Sequence, residues 1–411
     1  MSSVPSQALD ASRRADLDAV VSTLSARLAA TAVVRDAAGG HAAAERQAIR
    51  DSGLLGLSIP PQFGGWGADW PTVLQVVRRL AQVDSALAHV LAFHHLQLAT
   101  LALYGSTEQQ HRHWRDTLKL GYFWGNALNP LDQRLLATEQ AGGWLLHGTK
   151  SYASGSVGSD WLTISAHVTH SPAWADTAAA PEGAAMLVAV LPSQAAGVHV
   201  QADWDSFGQR QTDSGSVRFD HVFLRQADVL LAPGSAPTAH GSLRTPLAQL
   251  VLVNLYVGIA EGALAQGRDQ LLAKPKPWFS AGVASALDDA VLQHRYGQLR
   301  VQLRAAQLAA DDAAQQWQAG FERGQALGAD GRGAVALAVS EAKVLAHRAV
   351  MAITNDIFEL LGASATSQRL ALDRFWRNAR VHTLHDPLDI KLRELGRHTL
   401  TGAWPEPSSY A

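Results

Sequence analysis

The chain has 411 residues, 47% of them apolar and 17% charged, with 34 Lys and Arg against 36 Asp and Glu for a net charge of −2. At roughly 150 residues per domain the length predicts two or three domains, and the composition excludes a disordered chain or a coiled coil. A charge so near zero argues against a nucleic-acid or anionic-membrane partner. The absence of cysteine removes disulfides, thiol nucleophiles, iron–sulfur clusters and cysteine zinc sites, and suits a reducing cytoplasm.

Met1 to Asp18 carries Arg13 and Arg14 without an apolar run behind them, so it does not read as a signal peptide. From Leu9 to Leu120 the texture is helical. Val20, Val21, Leu24 and Leu28, then Val73, Leu74, Val77 and Leu80, recur at three- and four-residue steps. The Gly- and Pro-rich stretch Gly53 to Gly67 reads as a loop between helices.

From Tyr122 to Leu231 short runs rich in Val, Leu, Thr and Phe (Trp161 to Val168, Ala185 to Leu191, Gly215 to Phe223) predict strands bounded by turn residues. Without long helices between them, they predict an antiparallel sheet or small barrel. Ser171 to Gly183, rich in Ala, Pro, Asp and Thr, reads as an exposed insertion loop.

Helical periodicity returns near Leu243, with helices expected over Leu247–Leu272, Ala284–Gly320, Ala334–Leu361 and Leu370–Val381, and Gly362 as a stop. Four long helices with short connections predict a bundle. Leu247 to Ala260, the most apolar stretch, is interrupted by Gln249 and Asn254 and is shorter than the roughly 20 residues of a membrane span. The chain therefore reads as soluble. The fold class is α+β: a helical domain over 1–121, a β domain over 122–235 and a helical bundle over 236–411, with a ligand expected where the layers meet. Neither the dinucleotide fingerprint nor the P-loop is present.

Five constellations carry possible chemistry. In His382-Thr383-Leu384-His385-Asp386-Pro387-Leu388-Asp389, Asp386 is expected to cap a helix beginning at Pro387. His385 then sits at a helix–helix corner, either as a general acid or base or as plain packing with His382. A metal pair at these two histidines lacks further ligands at supporting spacing. Of the adjacent His94 and His95, at most one can line a site, because neighbours on a helix point to different faces. Asn126, with Tyr152 and Ser154 in the run Gly148 to Gly155, offers donors, acceptors and a flat ring, or merely a strand ending in a turn. In Asp203 to Ser216, Trp204 and Phe207 make an apolar wall or belong to the β core. Lys274-Pro275-Lys276-Pro277-Trp278 suits a phosphate or is a solvated loop.

Taken in order, Ser52 to Leu57 with Pro60 and Gly64-Gly65-Trp66-Gly67, then Gly125-Asn126-Ala127, Asp203-Trp204 through Ser216, and Arg374-Phe375-Trp376-Arg377-Asn378-Ala379-Arg380 through Pro387, resemble the acyl-CoA dehydrogenase superfamily over nearly the whole chain. Within it they look like the two-component, reduced-flavin monooxygenases of the dibenzothiophene monooxygenase type and their sulfur-acquisition relatives. Many of the dehydrogenases carry a glutamate base in a Tyr-Glu-Gly context, and this chain reads Leu384-His385-Asp386 there.

The resemblance implies an acyl-CoA dehydrogenase-like fold with a middle β-barrel and a C-terminal four-helix bundle. It implies FMNH2 supplied by a separate NAD(P)H:flavin reductase, O2 as co-substrate, a C4a-hydroperoxyflavin, and oxygen transfer to a small apolar substrate, preferably an organosulfur compound of the thiophene or sulfide type. Nitrogen or aromatic-carbon acceptors stay open, as does an FAD acyl-CoA dehydrogenase with a displaced base at Glu341 or Glu359; the non-enzymatic rival is a helical scaffold that has lost flavin. By resemblance His385 is hydrogen-bond partner or acid at the peroxide, and Asn126 and Ser154 hold flavin and peroxide, assisted by one of His94 and His95. Tyr152 and Trp204 flank the isoalloxazine, Asp386 borders the cofactor beside His385, and Lys276, Ser364 and Thr366 meet the phosphate. The related branch often shows arginine where Lys276 and Ser364 stand. The family's usual assembly is a cytoplasmic tetramer, a dimer of dimers packed through the C-terminal bundles, with the flavin near a subunit interface.

Overall fold

A computed structural model of the chain describes residues 9–170, 186–235 and 237–408; the expected loop Ser171–Gly183 lies outside these. Five helices come first: α1 (Ala11–Ala38), α2 (Ala43–Asp51), α3 (Trp70–Ala81), α4 (Ser85–Tyr104) and α5 (Thr107–Leu120). Their starts follow local chemistry. Asp10, Asp69 and Asp84 accept from the main-chain N–H of the third residue of α1, α3 and α4, and Ser106 with Gln109 forms a reciprocal cap on α5. Between α2 and α3, the Gly- and Pro-rich loop folds into two short 3-10 turns, Leu54–Gly56 and Pro61–Phe63.

Among the described residues the middle of the chain is an eight-stranded sheet: β1 (Trp124–Ala127), β2 (Leu136–Gln140), β3 (Gly143–Lys150), β4 (Trp161–His170), β5 (Met186–Pro192), β6 (Val198–Val200), β7 (Val217–Arg225) and β8 (Val229–Leu231). Its path is β6-β7-β3-β2-β4-β5-β8, with β1 branching onto β4. The antiparallel expectation needs correction, because β1–β4 and β2–β4 are parallel. The β2–β3 hairpin intervenes between β1 and β4 and supplies the crossover that parallel pairing requires. Leu146, Leu162, Ile164, Leu187, Val217 and Phe219 form the core of the sheet.

The last third comprises α6 (Arg244–Ala273), α7 (Ala290–Glu322), α8 (Ala329–Leu361), α9 (Asp373–Thr383) and α10 (Leu388–Thr401). Helices α6, α7 and α8 pack on one another, α9 and α10 lie on α8, and α3 and α4 pack on α6. One apolar core therefore runs from the N-terminal helices into the bundle. A smaller cluster of Ile59, Leu98, Leu101, Trp124, Val190 and Leu230 joins α4 to the sheet. The segment Gly241–Ala273 is longer and more apolar than the sequence reading allowed. It, α1 and α4 are long and apolar enough to cross a membrane by length and composition. In Gly241–Ala273 and α4 the apolar windows are 83% and 94% buried within the protein itself, which is where a helix apolar all round belongs in a large core.

Candidate functional site

The ends of β1, the turn after β3, the loop before β7, the start of α4 and the corner after α9 converge. Asn126 of β1 donates its main-chain N–H to Ser154 O at 2.8 Å. The Ser154 hydroxyl lies 2.9 Å from that of Ser214, which lies 2.8 Å from that of Thr212, and Thr212 donates to Gln209 O at 2.9 Å. The same carbonyl accepts from Trp204 Nε1 at 2.9 Å. The Gln209 main-chain N–H donates to Asn378 Oδ1 of α9 at 2.6 Å, and its side-chain amide nitrogen lies 3.1 Å from Ser85 Oγ of α4 and 3.3 Å from His382 Nδ1 of α9. Gln209 thus ties the loop to two helices.

The backbone is forced here. Tyr152, Gln209 and Asp213 all stand in the left-handed region, at φ 58°, 53° and 49°, a conformation that costs a non-glycine residue of order 1–3 kcal/mol and persists only where the surroundings impose it. Part of that imposition is Arg46 of α2, which is 1% exposed, bridges to Asp213 at 3.0 Å and donates to Gly155 O at 3.3 Å. Gly208 supplies another part. A side chain there would begin 2.2 Å from Arg377 O, so the loop rests backbone to backbone on α9.

Three imidazoles meet behind this loop. His382 is buried, stacks on His89 of α4 at 4.8 Å between centroids, and its carbonyl accepts from the Tyr256 hydroxyl at 2.8 Å. His89 also stacks on Phe93 at 4.0 Å, and neither of its ring nitrogens has a partner among the described residues. Burial, reinforced by the neighbouring His385, holds His89 down at about 3, so it is neutral near pH 7. Burial, then His89, His385 and Lys343, holds His382 well below the usual imidazole range. His385 Nδ1 lies 3.1 Å from Asp386 Oδ1. The carboxylate is buried and also bonded by Lys343 of α8, whose ammonium is shared with Gln249 of α6. Burial alone would raise the Asp386 carboxyl. The hydrogen bond from His385 and the charge of Lys343 outweigh it and hold the group below the usual carboxylate range.

Asp386 therefore does not cap α10. Pro387 occupies the cap position and no side chain closes it, because the carboxylate is turned inward to the ammonium. Asn126, Ser154, Trp204, His385 and Asp386 belong to one connected region. Tyr152 is 66% exposed and edge-on to Trp204 at 6.1 Å. His94 and His95 are fully buried with all four ring nitrogens committed. His94 donates to Leu55 O at 2.9 Å and accepts from Trp124 N at 3.1 Å, while His95 donates to Leu54 O at 3.0 Å and meets the Ser58 hydroxyl at 2.8 Å. Both rings pin the loop after α2 to α4. Lys276, Ser364 and Thr366 are exposed, and the two hydroxyls donate to main-chain oxygens of Leu361 and Ala363.

Sequence reasoning missed His89 and Lys343, and within the run Asp203 to Ser216 it did not single out Gln209 or Ser214. His89 carried a local signal as the residue four before Phe93 and four after Ser85 on one helix face. The rival base positions are poorly placed: Glu341 is exposed, and Glu359 is exposed and bridged to Arg295 at 2.5 Å. Outside the Trp204 loop opens a cleft of about 590 Å³ lined by Gly39, Gly40, Trp204, Phe207, Arg210 and Arg377 among others. Among the described residues, the one group of three potential metal ligands, His147, Asp220 and His221, is exposed on β3 and β7 and shares no member with this region.

Comparison with known proteins bears on the fold and the family. Residues 11–119 match the model of the acyl-CoA dehydrogenase N-terminal domain and residues 250–389 that of the C-terminal domain. The chain is 43% identical over 393 residues to the protein named Probable FMNH2-dependent monooxygenase SfnC of Pseudomonas putida, covering 96% of this chain and 97% of that one. It is 40% identical over 400 residues to a dibenzothiophene monooxygenase of Rhodococcus erythropolis, covering 95% and 94%. The solved complex of TdsC from Paenibacillus sp. A11-2 with FMN and indole has a TM-score of 0.89 at 36% identity, covering 96% and 100%.

Proposed function

Because the chain belongs to the acyl-CoA dehydrogenase superfamily, in its branch of reduced-flavin monooxygenases, we propose that it takes FMNH2 from a separate NAD(P)H:flavin reductase and, with O2, oxygenates a small apolar organosulfur compound. The carrying observation is the set of buried, unanswered polar atoms that line the region: Asn126 Oδ1, Gln209 Oε1 and both ring nitrogens of His89. A buried polar atom left unpaired costs about 1–3 kcal/mol, and a heteroaromatic ring edge with alternating donors and acceptors would answer several at once. The residues present therefore fit a flavin ring.

When bound, the reduced flavin supplies the electrons that activate dioxygen, one atom going to the substrate and the other to water. The chain supplies the rest. Asn126 Oδ1 would accept from the ring edge, with the Ser154 hydroxyl, held by Ser214, beside it. Trp204 and Tyr152 would wall the ring. His89, neutral at pH 7, offers one donor and one acceptor without a charge. His385 keeps a proton on Nδ1 against Asp386 and exchanges one at its other nitrogen. Helix α4, buried on nearly every side, keeps bulk water out, which would limit unproductive loss as hydrogen peroxide. Lys276, Ser364 and Thr366 are proposed to meet the phosphate in a cytoplasmic tetramer where a second copy completes that end. The proposed division into domains is 1–121, 122–235 and 236–411. The relatives' printed names favour sulfur as the acceptor atom.

The test is anaerobic titration of the protein with FMNH2, followed by mixing with oxygenated buffer and dibenzothiophene. Saturable binding and oxygenated product in excess of hydrogen peroxide are expected. No binding at tens of micromolar by the folded protein, or turnover without oxygen, would overturn the proposal.

A further inference from the structure

Lys343 sits mid-helix in α8, 1% exposed, with its ammonium on Asp386 Oδ1 and Gln249 Oε1. A buried ammonium is tolerated only when closely paired, and burial pulls Lys343 down to about 8 despite Asp386. The pairing determines more than stability. Asp386 stands directly before α10 and by local chemistry belongs on its N-terminus, yet that terminus is left without a side-chain cap. Oδ1 instead receives both Lys343 and His385, while Oδ2 is buried with no partner among the described residues. An ionised carboxylate can only accept hydrogen bonds, so His385 must carry its proton on Nδ1.

We infer that Lys343 is a positioning residue. It keeps Asp386 ionised and turned away from α10, and through Asp386 it fixes the His385 tautomer with the proton on Nδ1. This rests on the proposed monooxygenase reading. The titratable groups facing Lys343, Asp386 and His385 come from every neighbouring element: His347 from α8, Tyr256 from α6, His89 from α4, His382 from α9 and Lys391 from α10. None of these replaces Lys343 as a cation bonded to Asp386.

The test uses Lys343→Met in the full-length protein and two readouts. Histidine-selective ¹⁵N NMR without flavin, with the His385 signals assigned through His385→Gln, reports the tautomer. The ratio of oxygenated product to hydrogen peroxide, measured from pH 6 to 9, reports coupling. In Lys343→Met the buried carboxyl, deprived of its counter-charge, takes up a proton near neutral pH. The expected results are mixed His385 tautomers at pH 7 and an acid limb of the coupling profile moved up by at least one pH unit, with recovery above it. Should Lys343→Met fail to fold, Lys343→Gln retains two N–H donors without the charge and is expected to shift the limb in the same sense. A uniform loss of coupling at every pH, with the limb unmoved and the tautomer unchanged, would reduce Lys343 to a structural role. If the wild-type protein does not bind FMNH2, the monooxygenase reading fails instead, and the tautomer measurement still decides the role of Lys343.

Discussion

Lowering the pH from 7 to 5 should remove several kcal/mol of the stability of this protein, and the deeply buried histidines set the amount. Folding holds His89 at about 3 and His95 and His113 at about 4, chiefly by burial, against 6.5 for an exposed ring. The folded state therefore resists protonation at these rings, and the unfolded chain does not. Their stabilising contribution is complete above pH 6.5 and is lost as the pH falls toward 4. At pH 5 the unfolded chain binds roughly 2.7 more protons at these positions, a slope of about 4 kcal/mol per pH unit. Integrated from pH 7 to 5, the loss is about 5–6 kcal/mol, comparable with the whole stability of many domains at roughly 5–15 kcal/mol. The buried or bonded aspartates do not confuse this window, since Asp132 is held at about 2 and Asp386 also lies below the usual range. Urea unfolding followed by tryptophan fluorescence at pH 7, 6 and 5 measures the slope. His113→Gln should reduce it by about 1.4 kcal/mol per pH unit, one proton's worth, whatever it does at pH 7. A midpoint that stays level from pH 7 to 5, or a slope unaffected by that substitution, would refute the assignment of neutral buried rings.

Asn126→Ala should weaken FMNH2 binding about tenfold, the worth of one good hydrogen bond, with the fold intact by circular dichroism; unchanged affinity in an anaerobic titration would remove Asn126 from the ring edge. His95→Leu leaves Ser58 and Leu54 O unanswered and should cost roughly 2–4 kcal/mol of stability while sparing product coupling, measurable by parallel unfolding and turnover assays. Trp317→Ala deletes a fully buried ring that stacks on Phe321 at 5.1 Å, packs edge-on to Trp70 at 5.4 Å and donates to Leu243 O at 2.9 Å; a loss of about 3–5 kcal/mol is expected in chemical denaturation.

The helices were legible because their signals are local. The hydrophobic period placed α6 to α9, with the start of α7 expected six residues too early and that of α8 five residues too late, and Gly362, at φ 69°, ends α8 as expected. Strand pairing was not legible, because which strand β1 joins is decided by packing across the sheet and not by its four residues. In the site, the histidine doublet drew attention away from His89. Helix α4 is buried on nearly every side, so periodicity could not say which ring faced a cavity. Asp386 was misjudged for a related reason. Its neighbours in sequence argued for a cap, but Lys343, more than forty positions earlier, offered a stronger partner. Gln209 lies in the run Asp203 to Ser216 that carries the resemblance, but its role appears only once three segments close around it.

The backbone contact at Gly208 bears on how enzymes of this build can diversify. With no side chain to act as padding, a tilt of α9 is passed directly to the Trp204 wall, and a larger wall pushes back on the helix that carries His382 and leads to His385. Selectivity and proton handling are thus geared together. Laboratory evolution that varies the wall alone should stall early, whereas libraries that vary both sides of that seam together have somewhere to go.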